Sequence, residues 1–317
     1  MPLNLIAGAD DSGRRLDRVL RKALRQTPLS AIHRMLRQGL ILVDGSKAGP
    51  DRRILAGETI TAPIAEYESA SNKRFAPGGE KNTLEMPEIL YEGSGLLILN
   101  KPAGLSVHGR ESIDSMVQSY LVPKLHPSLS FRPGPLHRLD RPSSGVLVFS
   151  ASLDGARRFS AMMREGKIRK QYLAVVEGHL EDTEVWKDKL FRDAKIKKSF
   201  TGNSDENNSG HAKEKAALTR VKALAGNKDY SLVLFEIETG RTHQIRAQAA
   251  SRRHPLLGDK KYGGGPLSGG FLLHAWRLYL PPPFPPMVEA PLPENFKNKI
   301  EKFFDIDSHS QQILSGL

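Results

Sequence analysis

The chain has 317 residues, 39% of them hydrophobic, enough for about two domains with a sizeable core. It contains no cysteine, which excludes disulfides and thiolate metal sites. Mean hydropathy is -0.40, and no apolar run comes near the roughly 18 residues that span a membrane. The net charge of +12 points to a polyanionic partner, nucleic acid ahead of a membrane surface. Met1 to Ile6 lacks the charged and apolar regions of a secretory signal, so the expected location is the cytoplasm.

Residues 11–62 read as a small basic module. Leu16, Val19, Leu20, Ala23 and Leu24 recur at helical spacing and make one apolar stripe. Arg15, Arg18 and neighbouring cations occupy much of the remaining surface. After a break at Pro28, Ser30 is the expected N-cap of a second helix, with Ile32, Met35 and Leu36 inward and Arg34 and Arg37 outward. Gly39 ends that helix. Ile41 to Val43 then predicts a strand, Asp44–Gly45 a hairpin turn, and Thr59 to Thr61 a second strand. Over residues 1–60 there are 11 Lys/Arg against 6 Asp/Glu. Residues 63–84, with Pro63 and Pro77–Gly78–Gly79, have the composition of a linker, which would let the module move relative to the rest of the chain.

A larger domain begins at residue 85. Ile89 to Glu92 and Leu96 to Leu99 are expected strands across a Gly93–Ser94–Gly95 turn, and Met116 to Leu121 a helix. The stretch from Leu136 to Gly145 then sets Asp140 between Arg138 and Arg141, close to His137 and just ahead of an apolar strand, Val146 to Phe149. Nearby positive charge favours an ionised carboxylate. Such a carboxylate at a strand edge is what covalent catalysis by aspartate requires. Taken alone, the stretch also reads as a loop aspartate in a surface ion pair. It is not a kinase catalytic loop, which lacks the Leu between Arg and Asp, and no Asp-Phe-Gly follows.

Further on, Leu153 to Met163 suits a helix closed by Gly166, and Lys170 to Gly178 a strand. Residues 202–215 are polar and read as an exposed loop. Two strands come next, one from Ala217 and one over Tyr230 to Ile237. From Gly240 to Ala250 a strand end leads into a helix, and Arg241, His243, Gln244 and Arg246 crowd four hydrogen-bonding side chains into six residues. Guanidinium donors at that density suit phosphate or carboxylate. Phe271 to Leu278 is a last strand, before a stiff loop from Pro281 to Pro286. There is no phosphate-binding loop, dinucleotide fingerprint or His-Glu-x-x-His pair.

From about residue 87 to 296 the chain resembles the RluA-type pseudouridine synthases. The motifs occur in the family's order: Asn100–Lys101–Pro102–Ala103–Gly104, His137–Arg138–Leu139–Asp140 with Ser144–Gly145, Lys170–Gln171–Tyr172–Leu173–Ala174, Gly240–Arg241–Thr242–His243–Gln244–Ile245–Arg246, Gly258–Asp259 with Tyr262–Gly263, and Leu273–His274–Ala275–Trp276. The basic module resembles the S-four RNA-binding fold through Gly13 to Asp17, Arg37 to Gly45 and Gly57 to Ile60.

The resemblance implies an α+β protein. A small αα-β-hairpin RNA-binding domain (residues 11–62) and a linker (63–84) precede a catalytic domain (85–300), with a tail at 301–317. The catalytic domain is expected to hold a mixed, largely antiparallel sheet flanked by helices. The implied reaction is isomerisation of specific uridines in RNA to pseudouridine, by a monomer, without cofactor or metal. Large-subunit ribosomal RNA is the first substrate, transfer RNA the second, and a non-catalytic ribosome-assembly protein of this fold is the competing reading.

The resemblance also implies residue roles. Asp140 attacks the target nucleotide, at sugar or base, so that the base detaches, turns and rejoins through carbon. Arg138 helps take the base out of the stack, a step that chemistry on a paired base requires. Tyr172 stacks on the base and is placed to move a proton, and Arg246 pairs with the carboxylate. His137, Arg241 and His243 are RNA contacts or hold their loops. Arg15, Arg18, Arg34 and Arg37 would meet phosphates. Three departures from the family pattern are Pro142, Ser143 in place of the usual Thr, and Ala247–Gln248–Ala249 in place of Val–His–Leu.

Overall fold

The structure, a computed structural model, describes residues 2–63, 85–109, 111–125, 128–181, 183–193, 195–202 and 214–304. The expected linker after Pro63, the polar loop over 203–213 and the tail from 305 lie outside these residues.

In the amino-terminal module the apolar stripe packs as its spacing predicts. Leu16, Val19, Leu20 and Ala23 of α1 (Leu16–Ala23) are buried against Ile32 and Leu36 of α2 (Leu29–Arg37). The second helix starts at Leu29 rather than after Ser30, because the amides of Ala31 and Ile32 both donate to the Pro28 carbonyl. Asp44 and Gly45 both have positive φ, 50° and 77°, as a tight hairpin turn requires. They join β2 (Leu42–Val43) to β3 (Ser46–Lys47).

A four-stranded sheet in the order β1-β4-β2-β3 covers the helices, with β1 at Leu3–Ile6 and β4 at Thr59–Ala62. The first strand lies ahead of the expected boundary at residue 11. It has four residues, of which only Leu5 is buried, so it leaves little periodicity in the sequence.

The second sheet has eleven strands. Its order is β11-β10-β12-β13-β9-β14-β8-β6-β5. In chain order these are β5 (Ile89–Gly93), β6 (Leu96–Lys101), β8 (Ser144–Ser150), β9 (Arg169–Glu177), β10 (Thr183–Asp193), β11 (Lys198–Thr201), β12 (Lys215–Gly226), β13 (Tyr230–Ile237) and β14 (Leu273–Tyr279). Two short strands, β7 (Gly134–Pro135) and β15 (Met287–Glu289), pair with β8 and β14. The strands β10 and β11 have no counterpart in the sequence reading. Within β10 only Trp186 and Leu190 are buried, which leaves almost no alternation to detect.

The sheet is buried on both faces at its centre. Leu147 and Phe149 of β8 join one core, while Val146 and Val148 join the other. Helices α3 (Ile113–Leu121), α4 (Leu153–Arg164) and α5 (Gln244–Ser251) flank it. A last helix, α6 (Glu294–Phe304), buries Phe296 and Ile300 near Trp276. It crosses the expected domain end at 300, so residues 301–304 are helix rather than tail.

Among the described residues one strand pair is parallel, β8 with β14, where Ser144 faces His274 and Gly145 faces Ala275. Gly145 has φ +102°, and a Cβ there would lie 2.1 Å from the Ala275 carbonyl oxygen. Only glycine permits this approach. Ser144 Oγ lies 2.8 Å from His274 Nδ1, and His274 Nε2 is 3.1 Å from the Ala290 carbonyl, all inside the protein.

The module is docked on the sheet unit. Asp11, fully buried, accepts hydrogen bonds from Ser128 Oγ at 3.0 Å, the Leu129 amide at 2.8 Å and Ser130 Oγ. The expectation of a freely moving module takes no account of this contact, which sequence distance conceals. No helix among the described residues is long and apolar enough to cross a membrane.

Candidate active site

Asp140 stands on the loop that enters β8, and that loop is fixed from within. Lys101, at the end of β6, is fully buried and donates to the carbonyls of Pro102, Arg141 and Ser143 at 2.9, 3.2 and 2.6 Å. Burial lowers its pKa to about 8, against the opposing charge of Asp140. Arg141 points away from Asp140, and its Nε donates to the Gly104 carbonyl at 2.8 Å. Arg138 is exposed at the cavity mouth. Neither flanking arginine pairs with the carboxylate.

That partner is Arg246, on α5, 106 residues away. Its Nη1 donates to Asp140 Oδ2 at 2.6 Å, while Nε and Nη2 donate to the two oxygens of buried Asp259 at 2.6 and 2.8 Å. Burial by itself would lower the arginine's pKa, but the bonds and charges of Asp259 and Asp140 outweigh it and raise it. One planar cation therefore bridges two carboxylates, and only one of them faces the cavity.

His243 begins α5 in the left-handed conformation, φ 55°. Its Nδ1 lies 3.0 Å from the Tyr262 hydroxyl, and its Nε2 3.6 Å from Asp140 Oδ1. Burial lowers its pKa to about 4 despite Asp140, so the ring is neutral at pH 7. Tyr172, on β9, is 7% exposed. Burial, then the charge of Asp140, raises its pKa, which keeps the phenol protonated. Two positions earlier on the same strand face, Lys170 is buried. Its ammonium makes no hydrogen bond or ion pair among the described residues, and burial followed by repulsion from Arg241 lowers its pKa to about 8. Arg138, Asp140, Lys170, Tyr172, Arg241 and Arg246 all line one cavity of about 260 Å³.

The expected residues divide accordingly. Asp140, Tyr172 and Arg246 come together, with Arg138, Arg241 and His243 around them. Arg241 gives its Nε to the Ala216 carbonyl at 2.9 Å. His137 lines the same cavity, and the structural one of its two expected roles has visible support: the Val148 amide donates to its Nε2 at 3.1 Å and its ring stacks on Phe159. Burial pushes its pKa to about 3, so it braces the loop as a neutral ring. Arg15 pairs with Asp17 at 2.9 Å, and Arg18, Arg34 and Arg37 are exposed on the module's helices.

Lys101, Lys170 and Asp259 were not singled out from sequence as site residues, although all three lie in the motifs that carry the resemblance. The departure at Gln248 lies in the core. That side chain is fully buried and bonds Thr219 Oγ1 at 2.6 Å and Asp188 Oδ2 at 2.7 Å.

The family model described as RNA pseudouridylate synthase matches residues 95–251, which include Asp140, Tyr172 and Arg246. Ribosomal large subunit pseudouridine synthase C of Escherichia coli (strain K12) is 30% identical over 311 residues, covering 93% of this chain and 94% of that protein. Its namesake in Vibrio cholerae is 32% identical over 256 residues, covering 80% and 78%. The solved structure of Human RNA Pseudouridylate Synthase Domain Containing 1 gives a TM-score of 0.56 at 23% identity, over 75% of this chain and 97% of that one. That likeness concerns the fold. Coverage of nearly the whole length of a curated relative, with Asp140, Tyr172 and Arg246 drawn into one cavity, establishes that the chain belongs to the RluA-type pseudouridine synthases.

Proposed function

We propose that this protein converts specific uridines of large-subunit ribosomal RNA to pseudouridine, with Asp140 as the nucleophile. The observation that carries the reading is the 2.6 Å bond from Arg246 to Asp140 in a cavity shared with Tyr172. A carboxylate held by one cation, with its other oxygen 3.6 Å from the neutral His243 ring, can attack a nucleotide and release it again. The Tyr172 ring offers a face for a flipped base, and its hydroxyl is placed to relay a proton: once the base has rejoined through C5, the C5 proton is lost and N1 gains one, with no net proton change. Arg138 and Arg241, at the rim, are suited to the flanking phosphates. The names of the curated relatives favour large-subunit ribosomal RNA over transfer RNA.

The amino-terminal module, two helices carrying arginines beside a hairpin sheet, reads as an S-four-like RNA-binding unit ahead of a catalytic unit that starts near residue 85. A cytoplasmic monomer belongs to the same reading.

The test is pseudouridine mapping by carbodiimide-dependent stops after incubating purified protein with large-subunit ribosomal and transfer-RNA transcripts. New pseudouridine in the ribosomal transcript, lost with D140N, is expected. Modification of transfer RNA alone would overturn the substrate, and an active D140N protein would overturn the chemistry.

A further inference from the structure

The docking of the module builds a second basic site, away from Asp140. Asp11 also accepts from the Gly8 amide at 2.9 Å, so its carboxylate is fully engaged between the module and the 128–130 loop. Leu129 packs into the module's core. Asp10 Oδ1 accepts from the Leu153 amide at 3.0 Å, at the start of α4. Arg14 Nη1 donates to Ser130 Oγ at 2.7 Å. These contacts bring the arginines of the module against Arg157 of α4.

The result is a cavity of about 360 Å³ lined by Gly13, Arg14, Arg15, Arg18, Arg53 and Arg157. Arg15 has Asp17 as an ion-pair partner, and Arg53 donates to the Gly13 carbonyl at 2.6 Å. The side chains of Arg18 and Arg157 make no hydrogen bond or ion pair among the described residues, although Arg158 next door is paired with Asp154. Five guanidinium groups thus face one space; Asp17 pairs with Arg15, while Asp11, Asp10 and Asp51 offset Arg14 and Arg15 without an ion pair to either among the described residues. Burial lowers the pKa of Arg14, and Arg157 and Arg18 lower it further against the pull of Asp11. The cluster continues along α1 through a second concavity lined by Arg14, Arg18, Arg21, Lys22 and Arg25. Of those cations Arg18, Arg21 and Lys22 lie on α1 within about one turn of each other, and Arg14 and Arg25 flank its two ends. Like charges held this close favour an anion among them, and a row of them suits a chain of anions better than one.

We propose that the seam between the amino-terminal module and the sheet unit binds the phosphate backbone of the RNA, with Arg157 of the sheet unit completing the module's arginine row. This rests on the RNA-substrate reading above and extends it. The RNA spans both units because the buried Asp11 contact holds them in one arrangement.

The test uses the full chain and a fluorescent transcript of the ribosomal segment in which product mapping finds pseudouridine. Arg157 is exposed and outside the Asp140 cavity, so R157Q leaves folding and the reacting groups alone. R157Q is expected to raise Kd several-fold at 0.1 M salt and to reduce the slope of log K against log salt by about 1. Turnover at saturating RNA should stay at the wild-type level. K297Q, which removes a cation paired with Glu294 on α6, is the control and should leave Kd unchanged. An unchanged slope in R157Q, or an equal loss in K297Q, would overturn the seam as a site. Failure of the underlying reading looks different: the wild-type protein itself would then form no pseudouridine in any RNA.

Discussion

Asp259 holds two of the three guanidinium nitrogens of Arg246 and so leaves Nη1 alone to reach Asp140. The buried carboxylate sets the angle at which the cation meets the reactive one. Replacing Asp259 by Asn keeps the shape but removes the charge. Breaking such a buried pair costs about 3–5 kcal/mol of stability. D259N should lower the urea midpoint and reduce turnover at saturating RNA by about 10- to 100-fold. Wild-type turnover in a protein so destabilised would separate Asp259 from the site.

Lys170 presents a buried ammonium to the cavity with no acceptor among the described residues. Its pKa of about 8 makes its charge depend on pH near neutrality. If the ammonium meets the RNA, kcat/KM should fall as pH rises through about 8, because that parameter reports the free enzyme. K170M should lower kcat/KM at pH 7 by about 10-fold or more and remove that limb of the profile. A limb that persists unchanged in K170M belongs to another group.

Tyr172 combines a face and a hydroxyl, and Y172F separates them. The ring remains, so RNA affinity should stay within about two-fold of wild type. Turnover should drop by about 100-fold if the phenol moves a proton. Single-turnover product analysis with a binding titration distinguishes this from loss of stacking, which would weaken both.

Three histidines, His274 buried and His137 and His243 partly so, tie stability to pH. His137, His243 and His274 have pKa values lowered to about 3, 4 and 4, each first of all by burial. Unfolded, each would titrate at about 6.5, so the unfolded chain binds more protons between about pH 4 and 6.5. Stability is full above that window and is lost as pH falls through it, by up to roughly 4 kcal/mol per pH unit for three protons. Denaturant unfolding at stepped pH should show this slope, and H274Q should reduce it by one proton.

Much of the fold was legible because local patterns agree with tertiary burial. The α1 stripe, the Asp44–Gly45 turn and the apolar runs of β6 and β8 are of this kind. What was hidden depends on distant partners. The strands β1 and β10 bury too few residues to alternate. The sequence leaves His137 as an RNA contact or a loop brace, and the bond from the Val148 amide that supports the brace comes from a neighbouring strand. Within the site, Asp140, Tyr172 and Arg246 stood out through the family motifs rather than through charge alone, which had favoured Arg138 and Arg141. Lys101 and Asp259 gain their meaning only from what they touch across the sheet.

The parallel β8/β14 contact has a consequence for synthesis. The strand β14 fills the middle of the large sheet, yet it ends at Tyr279, late in the chain. Until it emerges from the ribosome, β9 keeps an open edge and β8 has one that β7 covers only near Ser150, a liability for wrong pairing. The Asp140 loop, which runs directly into β8, meanwhile lacks its neighbour. Arg246 is made earlier but has no completed frame to carry it to Asp140. A nascent chain is therefore a silent one, and modification waits until the sheet can close.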